Sequence, residues 1–317
     1  MSFTPFMVEL AEKIKTERDL SESSAGVYLR NLAVLNNKEA FKNLVFLKDI
    51  EAIDTIISKY ASNTQTNLYV ACVVGLTAMK SKAGYKKPYD HYYSKMMELK
   101  EGKKSEDAKN EKTEKQKEHM PDWSDVMKKH TELKTEVDAF SKEKHLSSRQ
   151  YDTLLKYVVL SLYTLLPPRR NLDYLKMYVV KDPSETVDTS KNYYVLSEHK
   201  MHFHVFKTCK TASEAEKVVD VPPELQSVLA SYIRLHPSLK AKKKEVKLLV
   251  EADGVPITAV NAITRILNKI FAKKVGSGML RHSYLSGKYG KVLEEMKEDS
   301  AAMAHGLNTQ RDYIKTE

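Results

Sequence analysis

The stretch from Tyr151 to Leu166 is the strongest constraint on how this chain can fold. It is apolar almost throughout, and in its greasiest part, Leu154–Leu166, Lys156 is the one charge. A helix of that character has to be buried on most of its sides. Pro167 and Pro168 follow directly. Proline lacks an amide donor and disfavours helix in the residue before it, so the helix must stop there. The run is shorter than the ~20 apolar residues that span a bilayer. The opening Met1-Ser2-Phe3-Thr4-Pro5, with Glu9, Glu12 and Lys13 close behind, is no signal-peptide apolar region. The expectation is a soluble intracellular protein with no membrane partner. Cys72 and Cys209 are far apart and form no CxxC, which argues against a disulfide framework or zinc knuckle and suits a reducing compartment.

A chain of 317 residues with 42% hydrophobic content has room for two domains with real cores. The first hundred residues read as helices. Val27, Leu32 and Leu35 follow the serine cluster Ser21/Ser23/Ser24, and Ile50, Ile53, Ile56 and Ile57 form a second stripe. Ser62 with Gln65 is a candidate capping box before the apolar run Leu68–Met79. Leu99–Glu118 then holds seven lysines against six acidic residues, a solvated linker or exposed helix rather than a basic arm. These readings divide the chain into a helical domain at 1–100, a charged linker at 101–119 and a second domain at 120–317. In the second domain helical sequence runs through Phe140 and again over Tyr151–Leu166. Three strand-like pieces, Tyr193–Leu196, His202–Phe206 and Lys217–Val221, predict a small antiparallel sheet. Helices return through Leu225, Val228, Leu229 and Ile233, through Ile263, Ile266, Leu267 and Ile270, and in the tail from Lys288. The fold class expected is mainly α with a small antiparallel sheet in an α+β second domain.

The formal net charge of +10 and pI near 9.2 suit a polyanion, either nucleic acid or an anionic surface. There is no GxxxxGK[ST] loop, no GxGxxG, no HExxH and no paired CxxC, so nucleotide hydrolysis and zinc chemistry lack their usual parts. His199, His202 and His204 raise the question of a metal. His202 and His204 share a strand face, but no carboxylate or cysteine stands at metal-binding spacing in the sequence. A sheet surface near the polyanion is the better reading.

Three clusters set reactive side chains beside apolar anchors. They are Leu165-Leu166-Pro167-Pro168-Arg169-Arg170-Asn171-Leu172-Asp173, then Met279-Leu280-Arg281-His282-Ser283-Tyr284-Leu285, then Met303-Ala304-His305-Gly306-Leu307-Asn308-Thr309-Gln310-Arg311-Asp312-Tyr313. Their order resembles the tyrosine recombinase (phage integrase) superfamily. The Pro-Pro-x-Arg-x-x-Asp form and the Tyr-x-Lys ending look most like divergent members from large DNA viruses and eukaryotic mobile elements. The resemblance covers roughly Tyr151 to Lys315, and the helical first domain matches the family's core-binding domain in class and order only.

Carried over residue by residue, the resemblance makes Arg170 the first catalytic arginine, because Asp173 stands three positions on; Arg169 is the alternative. Arg281 becomes the second arginine, His282 completes the Arg-His pair, and His305 matches the late histidine. Tyr313, eight residues later, becomes the nucleophile. The hairpin lysine falls in Lys207-Thr208-Cys209-Lys210, with Lys207 preferred and Lys210 in reserve. Gly278 departs from the pattern, since the family usually has His or Lys three residues before the second arginine.

The resemblance implies a double-stranded DNA partner, a homo-oligomer (a tetramer) on DNA, and a clamp of two domains, with Lys240, Lys242, Lys243 and Lys244 adding phosphate contacts. It implies no cofactor, neither metal nor ATP. Attack on a phosphodiester builds charge on non-bridging oxygens, which guanidiniums grip bidentately. A phenol must lose its proton as it attacks, and the departing 5′-oxygen needs one, which a lysine can give. Two alternatives stay open: a type IB topoisomerase with the same residues, and a DNA-binding protein that keeps the fold without the chemistry. The sequence leaves the target site, the compartment and the direction of recombination open.

Overall fold

The computed structural model describes residues 2–77, 79, 82–109, 111–209, 216–240 and 245–315. The chain divides into two compact units, Met1–Glu111 and Lys112–Glu317.

The first unit is helical among its described residues: α1 (Pro5–Arg18), α2 (Glu22–Leu35), α3 (Ile50–Ser58), α4 (Ser62–Thr77) and α5 (Lys86–Ala108). Side-chain oxygens of Thr4, Ser21 and Asp49 accept the first orphan amides of α1, α2 and α3. Helix α4 is the hub. Its Leu68, Ala71, Cys72, Val73, Val74 and Leu76 are buried, and α2 and α5 flank it. Ser62 is the first helical residue rather than a cap: the Gln65 amide donates to the Ala61 carbonyl at 3.0 Å, and the Gln65 side chain donates to the Tyr60 carbonyl at 2.7 Å. Val27 points to solvent, so the stripe on α2 is carried by Leu29, Leu32 and Leu35 instead. The lysine-rich stretch continues α5 to Ala108 and resumes as α6 (Glu114–His119), the first helix of the second unit.

The second unit is built around the apolar segment that the sequence singles out. After α7 (Trp123–Asp138) comes α8 (Ser148–Thr164), opened by a reciprocal capping box between Ser147 and Gln150. Ten of its residues, from Tyr151 to Tyr163, are buried. Then follow α9 (Asn171–Leu175), β1 (Met177–Val180), β2 (Asn192–Val195), β3 (Lys200–Phe203), β4 (Lys217–Asp220), α10 (Pro223–Leu235), α11 (Pro237–Lys240), β5 (Val246–Lys247), α12 (Ala262–Phe271), α13 (Ser277–Ala302) and α14 (Leu307–Tyr313). Helices α7, α10 and α12 enclose α8.

The three expected strands are β2, β3 and β4, and they pair antiparallel. The sheet is wider than expected and mixed, with order β4-β3-β2-β1-β5. Strand β1 runs parallel to β2, Met177 opposite Asn192, and β5 pairs antiparallel with β1. The parallel pair needs a crossover, supplied by residues 181–191 with a 3-10 turn at Pro183–Glu185. The architecture is mainly helical α+β. Among the described residues no helix is long and apolar enough to cross a membrane.

Candidate functional site

The turn between α8 and α9 is fastened at every step. Tyr163 Oη donates to Asn171 Oδ1 at 2.8 Å, and Asn171 Nδ2 donates to Thr264 Oγ1 on α12 at 3.0 Å. The buried Tyr174 hydroxyl donates to the Leu162 carbonyl at 2.9 Å. Within this frame Arg169 Nε donates to Asp173 Oδ2 at 2.9 Å, and the guanidinium lies 3.7 Å from the centre of the Phe203 ring and 5.9 Å from that of Phe206. Arg170, the residue next along, is exposed at the cap position of α9. The bonded partner of Asp173 is thus Arg169, which the spacing rule had set aside, and Arg170 is left facing solvent.

Asp173 is buried, and its carboxyl is pushed above the ordinary range because desolvation outweighs the opposing pull of Arg169, Arg170 and Arg281. Arg281 stands in the second turn of α13, which opens at Ser277. Further contacts anchor this end of α13: Ser283 Oγ donates to the Pro121 carbonyl at 2.6 Å, and Tyr284 meets Trp123 edge to face at 5.2 Å. His282 is exposed. Gly278 lies one turn before Arg281, and a Cβ built on it meets nothing within 4 Å.

Lys207 is exposed at the start of a turn closed by the Cys209 amide donating to the Phe206 carbonyl at 3.1 Å. It follows Phe206 as Arg170 follows Arg169, so the contact between Arg169 and Phe206 sets the lysine loop beside the arginine turn. Lys210 lies outside the described residues, as do Lys242, Lys243, Lys244 and the side chain of Lys240.

His305 and Tyr313 belong to the other end of α13. Their ring centroids are 5.7 Å apart. His305 is held by its amide, which donates to the Ser300 carbonyl at 3.0 Å, and Ser300 Oγ hydrogen-bonds Gln310 of α14. Tyr313 is 70% exposed. Between Arg281 and Ser300 the helix rises about 28 Å at about 1.5 Å per residue. The arginines and the lysine loop thus gather around the end of α8, while the histidine and tyrosine stand together at the far end of α13. Beyond Gly287 that helix has a solvent-facing apolar stripe of Tyr289 and Val292, continuing from Leu285, each about half exposed.

The histidines of the sheet have carboxylate partners that the linear spacing hides. His202 Nδ1 is 2.7 Å from Glu216 Oε1, and His204 Nε2 is 3.5 Å from the same oxygen. Glu216 arrives from just before β4, across the hairpin. His199 occupies the turn between β2 and β3 with a positive φ of 53°.

No family model matches the chain, and no curated protein matches it. Among solved structures the chain is similar to one described as the crystal structure of XerA recombinase, with 16% identity and a TM-score of 0.32 over 98% of this chain and 93% of that one.

Proposed function

We propose that this protein is a tyrosine recombinase, a site-specific integrase that cuts and rejoins double-stranded DNA through a 3′-phosphotyrosyl intermediate. The observation that carries the reading is the arginine turn, where Arg169 is bonded to the buried Asp173 and stacks on Phe203 and Phe206, which sets the Lys207 loop beside the exposed Arg170, in a chain of net charge +10. In this reading the Arg170 and Arg281 guanidiniums grip a phosphate that approaches from solvent.

In this reading the Tyr313 oxygen attacks the scissile phosphorus and its proton passes to His305. The bond from phosphorus to the 5′-oxygen breaks, and Lys207 protonates that oxygen. Arg170 and Arg281 hold the non-bridging oxygens as their charge grows. The reverse sequence, with a new 5′-hydroxyl as nucleophile, rejoins the strand. The phosphotyrosyl ester keeps the bond energy, so neither ATP nor a metal is required.

Tyr313 must approach the arginines for this chemistry, since reacting atoms need to be ~3–3.5 Å apart. In a homo-oligomer on DNA the far end of α13 supplies Tyr313 to the phosphate, and the stripe of Leu285, Tyr289 and Val292 is covered as it does so. The withdrawn tyrosine also favours a second reading, a duplex-binding protein of the same fold that never cuts. A type IB topoisomerase is the third, separated from the first by the absence of assembly.

Cleavage of a nicked duplex in chelator and without nucleotide tests the proposal. A released 5′-hydroxyl end that disappears in both Arg170→Ala and Arg281→Ala supports it. Salt-sensitive duplex binding with no cleavage by any of the three proteins favours the non-cutting reading. Binding should fall steeply between ~50 and ~200 mM salt as neutralised phosphates release counterions.

A further inference from the structure

We propose that Asn192 is a positioning residue that fixes the Lys207 loop against the arginine turn. Asn192 opens β2 and is completely buried. Its amide uses its full hydrogen-bonding capacity on two separate segments. Nδ2 donates to the Asp173 carbonyl at 2.7 Å and to the Val205 carbonyl at 3.0 Å. Oδ1 accepts from the His204 amide at 2.9 Å and the Val205 amide at 2.7 Å. Two donors and two acceptors are all that a primary amide offers in this geometry.

The need for this side chain follows from where β3 ends. Its ladder with β2 stops at the pair Asn192 and Phe203. Beyond it, His204 and Val205 leave the sheet on the way to Phe206 and Lys207, and the Asn192 side chain replaces the missing strand for those two residues. One more bond, to the Asp173 carbonyl, ties the same side chain to α9. The arginine turn has independent anchors in Asn171 and Tyr174. The leg that carries Lys207 relies on Asn192, with Arg169 stacked on Phe203 and Phe206 as an outer bracket. Loss of Asn192 should therefore release the lysine and leave the arginines in place.

This inference rests on the recombinase reading for its chemistry but not for its geometry, and the experiment separates the two. Amide hydrogen exchange on the wild-type chain should show His204 and Val205 as slow as the amides of β3. Fast exchange at both would overturn the assignment whatever the protein does to DNA. In Asn192→Ser, and in Asn192→Ala as a second variant, protection should be lost at His204 and Val205 and kept at Asp173–Leu175. Retained protection at His204 and Val205 would overturn it too.

The activity arm uses two nicked duplexes, one ordinary and one with sulfur in place of the bridging 5′-oxygen. A thiolate leaves without a proton, so it bypasses a general acid. Both variants should lose at least about tenfold in cleavage rate on the ordinary duplex, within the ~10²–10⁴ that general acid catalysis supplies. On the sulfur duplex they should cleave near the wild-type rate, as Lys207→Ala should, with duplex affinity unchanged. A folded variant equally slow on both duplexes would overturn the positioning role. Wild-type protein that cleaves neither duplex would overturn the recombinase reading, while the exchange data still decide what Asn192 holds.

Discussion

Arg169 and Asp173 form the bonded pair of the arginine turn, with Arg169 Nε 2.9 Å from Asp173 Oδ2. The other carboxylate oxygen, Oδ1, is buried with no hydrogen-bond partner among the described residues. The pair is therefore only half satisfied, and burial raises the carboxyl above its ordinary range despite three arginines. The folded protein binds that proton more tightly than the unfolded chain does. Asp173 therefore adds stability as pH falls through the raised value and withdraws it as pH rises from ~3.9 towards that value. Urea denaturation across pH should show wild type gaining on Asp173→Asn as the solution is acidified from neutrality. A wild type that loses ground instead would mean that the ion pair outweighs burial.

His130 gives the opposite slope. It is buried on α7, and burial lowers its pKa from the ordinary ~6.5. Ser161 Oγ donates its one proton to the Tyr157 carbonyl at 2.8 Å, so in its 2.9 Å bond with His130 it accepts from a protonated Nε2. The unfolded chain takes up a proton near pH ~6.5 that the folded one resists, so stability is lost as pH falls through that value. His130→Leu should flatten this part of the stability profile. An unchanged slope in the variant would assign the acid sensitivity to another group.

The two glycines in the middle of α13 should respond with opposite signs to alanine. A Cβ on Gly287 would stand 2.6 Å from Trp123 Cβ, whereas one on Gly290 meets nothing within 4 Å. Gly290→Ala should stabilise the fold by roughly 0.5–1 kcal/mol through helix propensity. Gly287→Ala should destabilise it by about 1–3 kcal/mol through overpacking. Thermal or urea denaturation of the two variants decides the matter, and stabilisation by both would contradict the contact between α13 and Trp123.

Gly278 is open, helical and one turn from Arg281. Gly278→Lys should fold at least as stably as wild type, since replacing a helical glycine relieves up to ~1 kcal/mol. Under the recombinase reading it should tighten duplex binding at ~50 mM salt and steepen the salt dependence by about one counterion. Weaker binding by the folded variant would remove Gly278 from the DNA-facing surface.

Much of this architecture is legible in local sequence because its signals are local. The α8 run, its stop at Pro167 and the strands β2 to β4 each declare themselves within a few residues. Strands β1 and β5 do not. Met177–Val180 follows α9 with no turn signal between, β5 is two residues long, and the parallel pairing of β1 depends on a crossover. The site divides in the same way. Order along the chain nominates Arg170, Arg281 and Lys207, but the pairing of Arg169 with Asp173 comes with stacking on Phe203 of β3, which linear spacing does not reveal. Asn192 is invisible in sequence because all four of its bonds are tertiary. The span between Arg281 and Tyr313 is equally hidden, since helical periodicity does not say whether residues 277–302 form one helix or bend at a glycine.

Under the recombinase reading Tyr313 becomes covalently joined to DNA. Incubation of the full chain with a nicked suicide duplex, in chelator and without nucleotide, followed by denaturing electrophoresis, tests it most directly. The expected result is a protein–DNA adduct that survives denaturation, maps to the peptide containing Tyr313 and is absent with Tyr313→Phe. Tight duplex binding without an adduct, or an adduct that persists in Tyr313→Phe, would contradict it.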